Sequence, residues 1–410
     1  MLLQRTKSRP AHIKLSQQAV TSLWIHCAFQ FGSAMSMVFV NLYLWRLTED
    51  LALNGAYTLI SLLVAPLATI WIGKVAKQKD RLMAYRSGIF LTAIFYLGIL
   101  IVQEQIVKYF IVFALLKGIS TAFYWLGYFT LMYDVSNDEN RHRYLGLNTI
   151  VTNLAMLGGP AAAGWIISRS SELSGYVTVF LLSFVMYALA TLGSFKMTKA
   201  EDHHRKYYLN YLPMMLRKNT YFLKTLLGWL IVGLPQGILL YLPQIILFQV
   251  FPDESFVGYM NVCFMAISVV VSYVLSRTAS VAKTGLYLWI AGAGLLVSSS
   301  VLLWQVALWS VITFMCIQSL FKPVQANAYT AHYYRWIGML PLKRHFRIES
   351  IVLRESVINA GRAIGVIVFM VCSTDLDTPL LPWILFAVML AQLLVPWLVQ
   401  HEPIEEEDSK

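Results

Sequence analysis

Twelve long apolar stretches alternate with shorter polar segments along the chain of 410 residues. A helix that crosses a bilayer needs about 20 mostly apolar residues. The pattern therefore predicts twelve transmembrane helices and an all-α polytopic membrane protein. The predicted spans cover residues 20–45, 52–73, 84–103, 107–133, 145–168, 175–196, 222–250, 257–276, 285–304, 307–332, 351–373 and 379–400.

Basic residues are concentrated in every second polar segment. If the N-terminus lies in the cytoplasm, the segments on that side carry 26 lysines and arginines, against 3 on the opposite side. Membrane proteins retain positively charged loops in the cytoplasm. The pattern predicts a multi-pass protein of the cytoplasmic membrane of the cell, with both termini in the cytoplasm.

The longest polar connection divides the chain near its midpoint. It predicts an N-terminal six-helix half over residues 1–196, a cytoplasmic central loop over 197–221 and a C-terminal six-helix half over 222–410. Weak matches pair corresponding spans of the two halves. Lys117 and Lys322, for example, are 205 positions apart. The matches predict two pseudo-symmetric halves, an arrangement found in one large class of transporters.

Composition agrees with this class of protein and excludes others. Hydrophobic residues make up 58% of the chain and charged residues 13%, whereas soluble proteins contain about 45–50% and 25%. The net charge of +11 lies mostly between the spans, so topology explains it and no nucleic-acid partner is expected. The chain has no P-loop, HExxH motif or Cys/His ligand spacing, so we expect no enzyme activity, metal or cofactor.

The layout of spans, basic central loop and cytoplasmic termini resembles the major facilitator superfamily over nearly the whole chain. The loop between spans 2 and 3 in that family typically reads G-x-x-x-D-x-x-G-R-[RK]. Here "GKVAKQKDRL" keeps Gly73 and Arg81, while Lys77 replaces the acid and Asp80 replaces the second glycine. In the family the acid pairs with basic groups and holds one gating state. The resemblance implies a gating loop at Gly73 and Arg81 that lacks its usual acid.

Span 5 is similar to the drug–proton antiporter branch, whose pattern is G-x8-G-x3-G-P-x2-G-G. Small residues and proline permit close helix packing and a local bend. Ordinary tight packing is an equally open interpretation. The six matching positions here are Gly146, Ala155, Gly159, Pro160, Ala163 and Gly164.

Three cations lie inside predicted spans, where a charge costs at least about 2.5–3.5 kcal/mol on insertion scales. They are Lys117, Lys322 and Arg362. Such residues are expected to face a wet cavity or a partner. If the two halves repeat, the two lysines would face each other across a cavity between them.

The stretch "RESVINAGRAIG" places Glu355, Asn359 and Arg362 on one narrow face of span 11. Glu355 is the candidate proton carrier, because few carboxylates lie near membrane depth. The alternative is a structural ion pair with Arg354 or Arg143. The predicted substrate-binding residues are Lys117, Lys322, Gln30, Gln236, Tyr124, Tyr128, Asn327, Asn359 and Arg362.

These observations predict a secondary active transporter that moves a small solute by alternating access, with possible proton coupling. The excess of buried cations favours an anionic substrate. Three alternatives stay open: multidrug efflux by proton antiport, a flippase for an anionic lipid-linked precursor, and a sensor or assembly factor that has the transporter fold but no flux. The expected partners are a small-molecule or lipid-like substrate and the lipid bilayer, and the resemblance implies a monomer.

Overall fold

The computed structural model describes residues 15–78, 80–135, 141–170, 173–198, 208, 216–217, 219–278, 283–339, 347–373 and 379–399. These parts of the chain are helical, with short 3₁₀ turns and no strand. The first six helices are α1 (Gln17–Thr48), α2 (Leu51–Gln78), α3 (Arg81–Val102), α4 (Phe110–Asp134), α5 (Arg141–Ser168) and α6 (Ser174–Ser194). The remainder are α7a (Thr220–Ile238), α7b (Leu242–Val250), α8 (Glu254–Thr278), α9 (Thr284–Trp304), α10 (Leu308–Met339), α11 (Arg347–Cys372), α12a (Leu380–Leu390) and α12b (Leu394–Val399).

Within the described residues, eleven spans are long and apolar enough to cross a membrane, with α7a–α7b and α12a–α12b each forming one. The exception is α10, because polar side chains recur along its 32 residues. Large apolar side chains such as Trp24, Leu67 and Ile101 are exposed on the outer surface, as a lipid environment requires. The predicted all-α, multi-pass architecture is therefore confirmed.

Helix packing repeats between the halves. In the first half α1 packs on α5 and α6, and α4 packs on α2 and α3. In the second half α7a packs on α11 and α12b, and α10 packs on α8 and α9. Each pair thus has its counterpart six helices later, as pseudo-symmetry predicts. The halves meet through α2 with α11 and through α5 with α8. The exact boundaries at residues 196 and 222 stay a prediction.

Polar side chains and prolines set several helix ends. Asp80, which stands where the family has glycine, caps α3 by accepting a hydrogen bond from the Leu82 N–H at 2.9 Å. Outside the membrane, hydrogen bonds from Ser255 at the start of α8 hold the pKa of Asp253 below its usual value. The predicted seventh span is broken after Ile238, and α7b restarts with Pro243 in its first turn.

Glycines allow α7a and α11 to pack with their backbones in contact. Both helices carry a G-x-x-x-G sequence. A Cβ atom at Gly237 would collide with the carbonyl of Arg362, and one at Gly361 would collide with the carbonyl of Leu230. This close approach places the polar face of α11 directly against α7a.

Candidate functional site: a cavity between the halves

A cavity of about 460 Å³ lies between the two halves. Its wall comes mainly from α1, α2, α4 and α11, and Leu240 contributes from the break in the seventh span. The charged residues on the wall are Lys117, Arg354, Glu355 and Arg362. Uncharged polar residues on the wall include Gln30, Asn41, Tyr57, Tyr124 and Asn359.

Neutral amides hold the guanidinium group of Arg362. Its Nε and Nη2 donate to Gln236 Oε1 at 3.2 and 2.8 Å, and Nη1 donates to Asn359 Oδ1 at 3.0 Å. Gln236 reaches Arg362 because α7a and α11 approach so closely. Amide oxygens orient a guanidinium group without cancelling its charge, so Arg362 stays a net cation on the wall.

Glu355 has a basic partner next to it in the chain. Its Oε1 accepts hydrogen bonds from Arg354 Nη2 at 2.6 Å and from Arg354 Nε at 3.1 Å. Both side chains are only about one-fifth exposed. This is one of the two structural pairs that the sequence left open. The role of Glu355 as a proton carrier stays a prediction.

Lys117 faces the cavity without an acidic partner among the described residues. Its Nζ lies 5.4 Å from the centroid of the Phe95 ring, a cation–π contact. Lys117, Arg354 and Arg362 together outnumber Glu355, so the described charges on the wall sum to a positive value.

Lys322 does not face Lys117 across this cavity, contrary to the expectation from the repeat. It lines a second cavity of about 220 Å³ between α1, α5, α8, α10 and the break in the seventh span. Met37, Met156 and Leu240 line both cavities, so the two spaces adjoin at these residues.

Gln236, which holds Arg362, lines neither cavity, and two other predicted residues also lie outside the cavity wall. The Tyr128 hydroxyl donates to Asn148 Oδ1 at 2.6 Å, which turns the ring toward α5. Asn327 has an exposed side chain and lines neither cavity. In both cases the sequence predicted the depth in the membrane, whereas the rotation of the helix decides which way a side chain points.

Sequence reasoning missed His26, which is buried behind the cavity wall. Its Nδ1 is 2.7 Å from the hydroxyl of Tyr124, and its Nε2 is 3.1 Å from Thr152 Oγ1. Its ring also stacks on Tyr128 at 4.1 Å between centroids. The available signal was a histidine in the middle of an apolar run.

A buried ion pair joins the halves on the side of the termini. Lys77 Nζ lies 2.5 Å from Glu349 Oε1, and the two side chains are 3% and 0% exposed. Tyr208, in the central connection, donates its backbone N–H to the same oxygen at 2.8 Å. Its ring also lies 5.0 Å from Lys77 Nζ. The lysine that replaces the family's acid therefore pairs with an acid on α11, so the polarity of the pair is reversed.

A second, more exposed pair joins the halves on the opposite side. Arg46 Nε lies 3.4 Å from Glu254 Oε1, and the Tyr176 hydroxyl donates to that oxygen at 3.2 Å. Contacts between the halves thus lie on both sides of the cavity.

Two of the predicted packing positions of span 5, Gly159 and Gly164, lie at helix interfaces. A Cβ atom at Gly159 would collide with Ala34 of α1, and one at Gly164 would collide with the backbone of Glu254 at the start of α8. Pro160 lines the second cavity. Gly73 is buried in α2. Arg81 begins α3, but its side chain and the surroundings of Gly146 lie outside the described residues.

Comparison with known proteins identifies the family to which the chain belongs. The sequence profile of the Major Facilitator Superfamily matches residues 24–340. The Bacillus subtilis protein YqgE, whose function is uncharacterized, is 27% identical over 342 residues, which cover 83% of this chain and 79% of YqgE. An uncharacterized Geobacillus stearothermophilus protein encoded in the sodM 3' region is 35% identical over 153 residues, which cover 37% of this chain and 72% of that protein.

Solved transporter structures share the fold. A D-xylose–proton symporter superposes with a TM-score of 0.69 at 12% identity, covering 92% of this chain and 97% of the symporter. The nucleoside transporter NupG superposes with a TM-score of 0.70 at 11% identity, covering 93% of this chain and 98% of NupG. At these identities the likeness concerns the fold. The profile match, the repeated helix packing and these neighbours agree, and the chain belongs to the major facilitator superfamily of membrane transporters.

Proposed function

We propose that the protein moves a small anionic solute across the cytoplasmic membrane by alternating access, as a monomer with both termini in the cytoplasm. One observation carries the preference for an anion. Lys117 and Arg362 line the same cavity, and neither has a carboxylate partner within ion-pair distance among the described residues.

The electrostatics of a membrane interior support this substrate class. Two uncompensated cations in a low-dielectric surrounding attract an anion strongly and repel a cation. A lipophilic cationic drug would meet the same repulsion, which disfavours the drug-efflux alternative. Glu355 is the candidate proton-coupling group, because it is the one described carboxylate on the cavity wall.

The second cavity favours one further candidate. Apart from Lys322 and a few neutral polar residues its wall is apolar, it includes four methionines, and it adjoins the first cavity at Met37 and Met156. A hydrocarbon chain would fit there while an anionic headgroup occupied the first cavity. That arrangement is the one a flippase for an anionic lipid-linked precursor requires.

A thermal-shift screen of the purified full-length protein tests the proposal. The library contains anions, lipophilic cations and lipid headgroups. A ligand at about 100 times its Kd adds roughly 2.7 kcal/mol of stability. We expect anions to stabilise the native protein and Lys117→Met to lose that effect. Lys108→Met, at an exposed lysine outside the cavity, is the matched control. Stabilisation by lipophilic cations that Lys117→Met leaves unchanged would contradict the proposal and favour drug efflux.

A further inference from the structure

Three polar groups on the wall of the first cavity have no hydrogen-bond partner among the described residues. They are Gln30 Oε1, Asn41 Oδ1 and the hydroxyl of Tyr57. Gln30 and Tyr57 are 2% and 4% exposed. Gln30 and Tyr57 are therefore buried, Asn41 is half-buried, and all three residues line the cavity.

Neighbouring polar groups on the same wall are already engaged. Asn359 binds Arg362, the hydroxyl of Tyr124 binds His26, and Thr92 donates to the carbonyl of Gly88. The unpaired groups thus form a set distinct from the two cations described above.

An unpaired buried acceptor costs about 1–3 kcal/mol. Water can meet that need while the cavity is hydrated. A solute that fills the cavity displaces the water and must then supply the hydrogen-bond donors itself. A solute without donors would leave the three groups unpaired, and its binding would be weakened accordingly.

The spacing on α1 indicates what kind of donor is needed. Gln30 and Asn41 are eleven residues apart, which is about 16.5 Å along a helix axis. A single ammonium or hydroxyl group cannot reach both amides. Donors distributed along an elongated solute can do so.

We propose that the transported solute is a polyhydroxylated anion, of the kind that sugar acids and sugar phosphates represent. Lys117 and Arg362 bind its charge, and Gln30, Asn41 and Tyr57 accept hydrogen bonds from its hydroxyl groups. The inference rests on the anionic substrate proposed above and adds a second requirement, the hydroxyl groups.

The test uses probes matched in charge and carbon number that differ in hydroxyl groups. The pairs are gluconate with hexanoate, glucarate with adipate, and glucose 6-phosphate with hexyl phosphate, and sorbitol is the uncharged polyol. Binding to the full-length protein is measured by thermal shift and by microcalorimetry. In at least one pair we expect the hydroxylated member to bind roughly tenfold or more tightly than its partner, because sites built for hydroxyl groups reject analogues that lack them.

Three variants locate the effect. Gln30→Leu and Asn41→Leu each remove one acceptor, and each should reduce the preference within a pair. Gln244→Leu is the matched control, because Gln244 Oε1 is also buried and unpaired but lines only the second cavity. That variant should keep the preference. Because each acceptor is tested separately, a failure of one variant to fold leaves the other as a test.

The outcomes separate this inference from the proposed function. Equal binding within every pair, with anions still bound through Lys117, would overturn the hydroxyl requirement and leave the anion proposal standing. Sorbitol binding as tightly as gluconate would contradict the anion proposal instead. A preference unchanged in both Gln30→Leu and Asn41→Leu would place the hydroxyl-binding groups elsewhere and overturn the assignment.

Discussion

Arg362 illustrates how one side chain can be fixed in place without losing its charge. The planar guanidinium group offers several N–H donors in a rigid fork, and the amide oxygens of Gln236 and Asn359 accept three of them. A carboxylate in the place of Gln236 would hold the group equally well but would neutralise it. The amide therefore preserves the positive charge of Arg362 on the cavity wall.

At the residue scale, Gln236→Glu should replace the amide contact to Arg362 with an ion pair, because glutamate has nearly the same size and shape as glutamine. We expect the affinity for anions to fall about tenfold or more, which corresponds to roughly 1.4 kcal/mol. The melting temperature should stay the same or rise. Gln305→Glu, at an exposed residue after α9, controls for the added negative charge. Undiminished anion affinity in Gln236→Glu would show that the charge of Arg362 does not serve binding.

The sequence revealed the polar stripe on α11, because residues four and three apart share a helix face. It did not reveal which neighbour each residue meets. Gln236 was predicted as a substrate contact and instead supports Arg362, and Lys322 lies in the second cavity. Those outcomes depend on helix rotation and on the distance between helices, which periodicity within one helix does not encode.

At the element scale, α7a and α11 pack with carbonyl groups against glycines. Gly237→Ala would place a Cβ atom against the carbonyl of Arg362 and force the two helices apart. We expect lower thermal stability and weaker anion binding, because Gln236 would then no longer reach Arg362. Thermal melts and ligand titration of the same preparation measure both effects.

Gly158→Ala is the matched control for that change. The added Cβ would meet only Phe31 at 3.6 Å, an ordinary contact distance. Its melting temperature should therefore be close to that of the native protein. Equal losses in the two variants would mean that replacing glycine in a helix, rather than the contact between α7a and α11, explains the effect.

Apolar runs of about 20 residues predicted the helices well, because a bilayer imposes that length. The break in the seventh span was less visible. The sequence predicted one unbroken span over residues 222–250, whereas α7a ends at Ile238. In α10 the polar residues lower the apolar character of the helix, so length and composition alone do not mark it as a span.

At the scale of the whole molecule, ion pairs join the halves on both sides of the cavity. The pair formed by Lys77 and Glu349 is buried, whereas Arg46 is 40% exposed. The family pattern pointed to position 77, but the partner lies 272 residues away and its sign is inverted. A comparison with the family's acid alone would therefore miss this ion pair, in which the positions of the two charges are exchanged.

Exchanging the two charges tests the pairing of Lys77 with Glu349. Lys77→Glu places two buried carboxylates against each other and should destabilise the protein by about 3–5 kcal/mol. The double variant Lys77→Glu/Glu349→Lys should recover most of the loss, and thermal melts measure both. Arg46→Glu at the exposed pair should cost only about 0–1 kcal/mol. A double variant no more stable than Lys77→Glu would contradict a direct interaction between the two residues.

On the proposed function, the uncompensated cations on the cavity wall would also couple the transporter to the membrane potential. Each elementary charge that crosses 100 mV changes in free energy by about 2.3 kcal/mol. If the cavity alternates between the two sides as proposed, the empty carrier moves positive charge through part of that field, and a bound anion reduces the charge moved. The voltage then acts mainly on the return of the empty carrier. The membrane potential would therefore control the rate of the transport cycle even without a coupled proton.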